Sequence, residues 1–292
     1  MIIVTIPAYN EGKTIGKVIE NIKEVMQKYR KKYKILVVDD GSQDNTAQIA
    51  RKAGAVAYSH AKNYGLAETF KTEIQKSLEL EADVIVHIDA DGQYLPKEIP
   101  KLLIEIDNGY DFVLGSRFKG KIEHMPIVKK LGNIAFSKVI SQITNFNISD
   151  AQTGFRAFTK KVAREIDIRS NHTYTQEQII RAIKQKFRLK EVPVYFAKRN
   201  GKSKLIRNPF EYALKAWINI IRVYRDFEPL RFFGIVGTLI FSVGFLIGLY
   251  LVYLHFTTGI VGHFALMMLD ILILSIGLQI IIFGFIADMN RK

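Results

Sequence analysis

The sequence predicts an α/β fold. A mainly parallel sheet has helices on both faces, and an amphipathic interface helix and two C-terminal transmembrane helices follow it. Three observations predict this. Apolar runs alternate with helical periodicities through the first 120 residues. The polar clusters PAYNE (7–11), DDGSQDN (39–45), DADGQ (89–93) and GSR (115–117) each end an apolar run. Two long stretches with almost no charge close the chain.

Each element has its own signal. MIIVTI reads as a strand, and from Thr14 to about Arg30 the residues Ile15, Val18, Ile19, Ile22, Val25 and Met26 share one helical face. KILVV is a buried strand. DNTAQIARKAG is a helix with Asp44 as N-cap and Gly54 as stop. AVAYS is a strand, Leu66 to Leu80 a helix, DVIVHI a strand, Pro96 to Asn108 a helix and DFVLGS a strand. Beyond residue 125 the pattern is more helical, with a short strand at TGFRAF (153–158), a helix from Thr175 to Lys186 and a strand at EVPVYF (191–196). KRNGKSKLIRN (198–208) is a basic loop. From Pro209 to Asp226 the residues Phe210, Ala213, Leu214, Trp217, Ile218, Ile221 and Tyr224 recur at helical spacing, which suits a helix lying in a membrane interface.

Net charge is +14, and all of the excess lies in residues 1–231, with 40 Lys and Arg against 26 Asp and Glu. Such a surface attracts polyanions or an anionic membrane; the expected partner here is the membrane, not nucleic acid. The chain has no cysteine, which excludes disulfides and thiolate metal sites. MIIVTIPAYN lacks a basic segment followed by a long apolar one, so it is not expected to be a signal peptide.

The tail reads differently. Residues 232–254 carry no charge over 23 residues, and residues 264–287 carry only Asp270 over 24. About 20 apolar residues span a bilayer, so two membrane crossings are expected. HFTTGIVGH between them has no Lys or Arg, whereas Arg222, Arg225 and Arg231 precede the first and Arg291 and Lys292 follow the second. By the positive-inside rule the N-terminal part and the C-terminus face the cytoplasm. Asp270 is read as a helix-packing or homo-oligomer contact, and Gly244-x-x-x-Gly248 as a point of close helix approach. The expected domains are 1–205 (catalytic), 206–231 (juxtamembrane helix) and 232–292 (membrane anchor).

In parallel sheets ligands bind beyond the C-terminal strand ends, so the four polar clusters should lie along one edge. Asp89 and Asp91 stand one residue apart there, where two acids repel each other. A divalent cation removes the repulsion, since Mg²⁺ and Mn²⁺ take oxygen ligands and bridge carboxylates to phosphates. Gln93 adds a neutral oxygen. Read alone, Asp-x-Asp is a weak signal, which an acid at a strand end capping the next helix explains more simply.

IPAYNEGKTI, VVDDGSQDNT, DADGQYLP, GSRF and TGFRAF, in this order and spacing, resemble the family-2 glycosyltransferases of GT-A fold. The nearest likeness is to polyprenyl- and dolichyl-phosphate sugar synthases, including the mannose and glucose synthases. It covers about residues 1–230. The resemblance implies that Pro7, Tyr9 and Glu11 form the turn holding the nucleotide base and ribose, and that Val38 and Asp40, with Asp39 beside them, end the base-binding strand. It implies that Asp89, Ala90, Asp91 and Gln93 line the diphosphate and metal site, and that Arg117 stands near sugar and phosphates; Asp91 and Arg117 are the expected catalytic residues. On the acceptor side it implies Lys129, with Lys130, and the loop residues Arg199, Lys202, Ser203 and Lys204. Related enzymes often carry an arginine near Lys129, and a lysine supplies charge without a bidentate fork. Gln178-x-x-Arg181 matches part of the Q-x-x-R-W motif of processive synthases, but Ala182 stands where the tryptophan would be.

The expected reaction is metal-dependent, inverting transfer of a hexose or N-acetylhexosamine from a nucleotide sugar to dolichyl or polyprenyl phosphate. UDP-glucose or UDP-N-acetylglucosamine is favoured over GDP-mannose. The acceptor phosphate is already anionic near neutral pH, so no protein base is required; Glu177 and Asp150 are the acids to test for one. The alternatives are a hydroxyl-acceptor or processive glycosyltransferase, a nucleotidyltransferase, and a non-catalytic membrane scaffold.

Overall fold

The computed structural model of the chain describes residues 1–169, 174–198, 209–259 and 264–290. They form two compact units, Met1–Ala216 and Trp217–Lys292.

The first unit runs β1 (Ile2–Ala8), α1 (Ile15–Tyr29), β2 (Tyr33–Asp39), α2 (Thr46–Lys52), β3 (Val56–Ser59), α3 (Leu66–Glu79) and β4 (Val84–His87). A 3-10 turn at Pro96–Glu98 leads to α4 (Ile99–Asp107). Then come β5 (Phe112–Ile122), α5 (Ile127–Thr144), β6 (Arg156–Thr159), α6 (Lys160–Glu165), α7 (Tyr174–Lys184) and β7 (Leu189–Phe196). The strands make one sheet in the order β3-β2-β1-β4-β6-β5-β7. β1 to β4 pair in parallel, and β7 is parallel to β5. The expected elements are present, with helix ends within a few residues of where periodicity placed them.

Two details differ from expectation. Asp44 does not occupy the N-cap position of α2; Asn45 does, without a side-chain cap bond. Asp44 Oδ1 nevertheless accepts from Thr46 N at 3.0 Å, so it satisfies a helix-start donor from one residue further out. The strand in TGFRAF is reversed: β6 lies antiparallel between β4 and β5, with Ile85 opposite Phe158 and His87 opposite Arg156. Because β6 runs backwards, it starts at the edge where β1, β2, β4 and β5 finish. That register brings the turn before β6 against the residues after β4.

The core fills in as the patterns require. β1 is buried along its whole length, as suits a central strand with covered faces. Ile15, Val18, Ile19, Ile22 and Met26 of α1 are buried on one face, and Val25 is only partly covered.

α8 (Pro209–Phe227) straddles the division between the units. In the second unit α9 (Pro229–Thr258) and α10 (Phe264–Met289) have mean hydropathies of 2.4 and 2.5 and are long and apolar enough to cross a membrane. Most of their apolar surface faces outward rather than into a core. They pack through small residues: a Cβ on Gly277 would lie 2.6 Å from Phe241 N, and one on Gly237 2.8 Å from Gly277 O. Gly244 meets Leu274 and Ile273, while Gly248 faces Asp270. Asp270 is buried here, and its Oδ1 has no hydrogen-bond partner.

Candidate active site

The loops after β1 and β2 zip together at the functional edge. Asn10 N donates to Ser42 Oγ at 2.8 Å, and Gln43 N donates to Asn10 Oδ1 at 2.8 Å. Glu11 N donates to Thr46 Oγ1, and Gly12 N to Asp44 Oδ2. Tyr9 stands exposed above Pro7, which is buried. Val38 is wholly buried, so its side chain serves the core beneath the rim.

Asp40 is already occupied. Its oxygens accept from Tyr64 N and Gly65 N, each at 2.9 Å, and meet His60 Nδ1 at 2.8 Å. It thereby fastens loop 60–65 to the rim. Gly41, at φ +70°, permits this, because a Cβ there would lie 2.5 Å from the Lys62 carbonyl carbon. Sequence reasoning missed this loop, which brings the exposed side chains of Lys62, Asn63 and Tyr64 to the edge. Its signal was the Asn-Tyr-Gly turn between strand and helix. Asp39, by contrast, accepts a long bond from Ser42 N at 3.3 Å.

Asp89 and Asp91 follow β4 directly. Gly154, in the turn before β6, lies against Asp89: a Cβ there would be 2.6 Å from Oδ2. The missing side chain makes the room that the carboxylate occupies. Thr153 Oγ1 donates to Gly115 O at 2.7 Å and contacts Tyr94 Oη at 3.2 Å, and Gly154 N donates to Tyr94 Oη. Burial by the protein around it, and then the charge of Asp91, push the Asp89 carboxyl up to about 6; His87 opposes this, Glu73 adds to it and Arg117 opposes it. Asp91 Oδ1 accepts from Gln93 N at 3.0 Å, and Gln93 Nε2 donates to Ala197 O at 3.2 Å. Ala90 is buried between the two acids.

These residues fit a divalent cation. Two crowded carboxylates and an amide oxygen are hard donors, and the Gly154 cradle leaves Asp89 space. Among the described residues no group of three or more His, Cys, Asp or Glu is arranged to hold an ion. Most ligands of a cation here would therefore be substrate oxygens and water, as is usual for Mg²⁺ beside phosphates.

Arg117, on β5, is buried in a bidentate pair with Asp150. Nε and Nη2 each donate at 2.7 Å, and Arg117 N donates to Asp150 Oδ2 at 2.9 Å. Its guanidinium also lies 5.2 Å from the centroid of the Phe196 ring. Glu191 holds this corner from below, accepting from Ser149 N, Asp150 N and Lys119 Nζ. Glu177 is likewise engaged, accepting from Arg181 Nε at 2.8 Å and Arg169 N at 3.1 Å. Gln178 is fully buried, and its Oε1 accepts from Arg156 Nη1 at 2.9 Å. The partial Q-x-x-R match is thus an internal brace.

Lys129 and Lys130 lie in the first turns of α5. The same helix exposes Ile127, Val128, Leu131 and Ile134, a feature sequence reasoning did not single out. Arg199, Lys202, Ser203 and Lys204 lie outside the described residues.

Comparisons with known proteins give the family. A family model described as glycosyl transferase family 2 matches residues 3–167. A UDP-N-acetylglucosamine–dolichyl-phosphate N-acetylglucosaminyltransferase of Methanococcus voltae is 33% identical over 217 residues, covering 66% of this chain and 84% of its own. A dolichyl-phosphate hexose transferase of Haloferax volcanii is 32% identical over 229 residues, covering 78% and 95%. Among solved structures, glucosyl-3-phosphoglycerate synthase from Mycobacterium tuberculosis, in complex with Mn²⁺, UDP and glucosyl-3-phosphoglycerate, superposes with a TM-score of 0.58 at 18% identity. It covers 75% of this chain and 79% of its own, a likeness of fold. The architecture is the expected GT-A type with two apolar C-terminal helices; the chain belongs to glycosyl transferase family 2 and is a glycosyltransferase.

Proposed function

We propose that this enzyme transfers a hexose or N-acetylhexosamine from a nucleoside-diphosphate sugar to dolichyl or polyprenyl phosphate at the cytoplasmic face of a membrane. The observation that carries the reading is the Asp89–Asp91 pair at the sheet's functional edge, where burial and then the Asp91 charge push the Asp89 carboxyl up to about 6. Such a pair suits a cation-bridged diphosphate. The relatives from Methanococcus voltae and Haloferax volcanii, both named for dolichyl phosphate, support the acceptor. The UDP in one relative's name and in the fold neighbour's complex favours a uridine donor over GDP-mannose.

In this reading Pro7, Tyr9, Glu11 and the strand end at Val38–Asp40 hold the nucleotide, with loop 60–65 as a wall fastened by Asp40. A Mg²⁺ or Mn²⁺ ion held by Asp89 and Asp91, with Gln93 beside them, would neutralise the leaving diphosphate. Arg117, fixed by Asp150, keeps a cation at the edge without moving. The acceptor phosphate needs no deprotonation by the protein near pH 7, which agrees with Asp150 and Glu177 being committed to arginines. Its oxygen attacks C1 and the nucleoside diphosphate leaves, giving single displacement with inversion. Lys129 and the basic residues Arg199 and Lys204, with Ser203, are assigned to the lipid phosphate. The exposed apolar residues of α5 beside its lysines suit a helix resting on a membrane surface.

A donor panel tests this. UDP-glucose, UDP-N-acetylglucosamine and GDP-mannose are each supplied with polyprenyl phosphate in detergent, and lipid-linked sugar is scored. One UDP-sugar should give product that depends on added cation. Transfer to a sugar hydroxyl, with none to the lipid phosphate, would overturn the acceptor assignment.

A further inference from the structure

We propose that Glu73 and His87 are a buried positioning pair for Asp89, set behind the acid pair and out of reach of either substrate. The inference rests on the reading of Asp89 and Asp91 as the residues that hold the cation. His87 is the last residue of β4 and Asp89 lies two further on, so both side chains project to the same side. His87 and Glu73, the latter on α3, are both fully buried.

Nδ1 of His87 lies 2.6 Å from Glu73 Oε2, which also accepts from Thr5 Oγ1 at 3.3 Å. That contact sets the ring's orientation and turns Nε2 toward Asp89. Nε2 stands 3.9 Å from Asp89 Oδ1 and makes no hydrogen bond. Phe70 meets the imidazole edge-on at 5.2 Å and packs on Tyr174 at 4.5 Å, so the ring is clamped by aromatic neighbours. Across the β4–β6 pairing stands Arg156, itself fixed by Gln178 Oε1.

Burying an acid and an imidazole under a sheet is costly, and apolar residues of similar volume would pack there as well. The arrangement is explained if it acts on what lies at its open end. A shift of about 1 Å in Asp89 brings its carboxylate into hydrogen-bond range of Nε2, and a ring carrying both protons, as suits an imidazole set between two carboxylates, donates from Nδ1 to Glu73 and from Nε2 to Asp89. The carboxylate would then present its other oxygen outward in one orientation. Protein groups that orient a ligating side chain in this way typically change metal affinity by about 10- to 100-fold.

The test uses the full chain in detergent and measures Mn²⁺ uptake in the presence of UDP by the electron paramagnetic resonance signal of free Mn²⁺. His87→Phe alone would strand the Glu73 charge in the core, so the informative variant is the double replacement Glu73→Leu with His87→Phe. It should fold, bind UDP without metal as the parent does, and bind Mn²⁺ with UDP about 10- to 100-fold more weakly. Its transfer rate should recover at saturating Mn²⁺. Glu73→Gln, which retains an oxygen to accept from Nδ1–H, should stay much closer to the parent. If the folded double variant takes up Mn²⁺ within about twofold of the parent, the positioning role is wrong while the cation reading stands. If the parent takes up no Mn²⁺ with UDP, the cation reading fails and the pair falls with it.

Discussion

The two halves of the sheet's functional edge are held in opposite ways. Above β1, β2 and β4, loops are tied to one another by hydrogen bonds among Asn10, Ser42, Gln43, Asp44 and Thr46, and Asp89 is left crowded by Asp91. Above β5 and β7, acid meets base: Arg117 with Asp150 and Lys119 with Glu191. In the first half burial and then the neighbouring Asp91 charge disfavour the Asp89 carboxylate, which a bound cation would favour. The second pairs Arg117 with Asp150 and Lys119 with Glu191, so these charges serve rigidity, and the lysines of α5 remain the positive charge proposed for an anion. A donor carrying a cation and an acceptor that is itself an anion suit these two halves respectively.

The sharpest way to break the comparison is to remove the second acid. Asp91→Ala should reduce formation of lipid-linked sugar by about 10²- to 10³-fold, the scale of losing a group that stabilises transition-state charge. EDTA should do the same to the parent. Full activity in chelator would mean that the first half's crowding has no cation to answer it.

The second half should respond through stability instead. Asp150→Asn leaves Arg117 buried against a neutral partner, at a cost of about 3–5 kcal/mol in unfolding free energy. Thermal unfolding in detergent measures it, and replacing Arg117 and Asp150 together by Met and Leu should recover most of the loss. This makes Asp150→Asn a poor probe for a general base, and Glu177→Gln shares the problem because Arg181 depends on Glu177.

Gly154→Ala sits at the seam between the halves. Its Cβ would press on Asp89 Oδ2 while leaving the backbone free to fold. A displaced carboxylate should lower transfer by about 10²-fold, as misplacements of an ångström do, with little change in melting temperature. A parent-like rate would show that Asp89 can move without penalty. A smaller effect belongs to the acceptor side: Lys129→Ala with Lys130→Ala should raise the KM for polyprenyl phosphate by about tenfold, or 1.4 kcal/mol, and leave UDP-sugar binding unchanged. Equal loss of both affinities would merge the two halves into one site.

Much of this was legible in the chain because strand ends declare themselves locally. An apolar run that stops at Asp89-x-Asp91 or Asp39–Asp40 needs no tertiary information to be noticed. What the sequence could not show was pairing. The direction of β6 is a tertiary choice, and only the His87–Arg156 register sets Gly154 opposite Asp89. The same holds for Asp40, which the resemblance placed at the base-binding strand end; only the fold shows that its oxygens also accept from the backbone of Tyr64 and Gly65. Arg117 reads alike as a free cation or half of an ion pair until Asp150 is placed beside it. The apolar face of α5 went unnoticed because its exposure, not its composition, is the signal.

The smallest expected effect separates the halves most cleanly, because it has opposite signs in them. Asp89 has an ordinary value of 3.8 and is pushed up to about 6 in the folded chain. The folded state therefore holds this proton more tightly than the unfolded state. Well below pH 3.8 both states are protonated and nothing is lost. As pH rises from about 4 to 6 the folded state must ionise a crowded group, so stability falls through that window and is level above it. Asp89→Asn removes the group and with it the fall. In EDTA at pH 7 the variant should melt above the parent, and well below pH 3.8 the two should coincide. Because the carboxylate is partly open to water, screening keeps the gain to about 1 kcal/mol or less. Adding Mn²⁺ with UDP at pH 7 should reverse the order, since only the parent keeps both acids for the ion. The same type of exchange at Asp150 goes the other way, losing stability at neutral pH because that acid is paired. If Asp89→Asn proves less stable than the parent in EDTA at pH 7, Asp89 is compensated in the metal-free chain, and the contrast between a half with a disfavoured acid and a half with a paired one fails at its first residue.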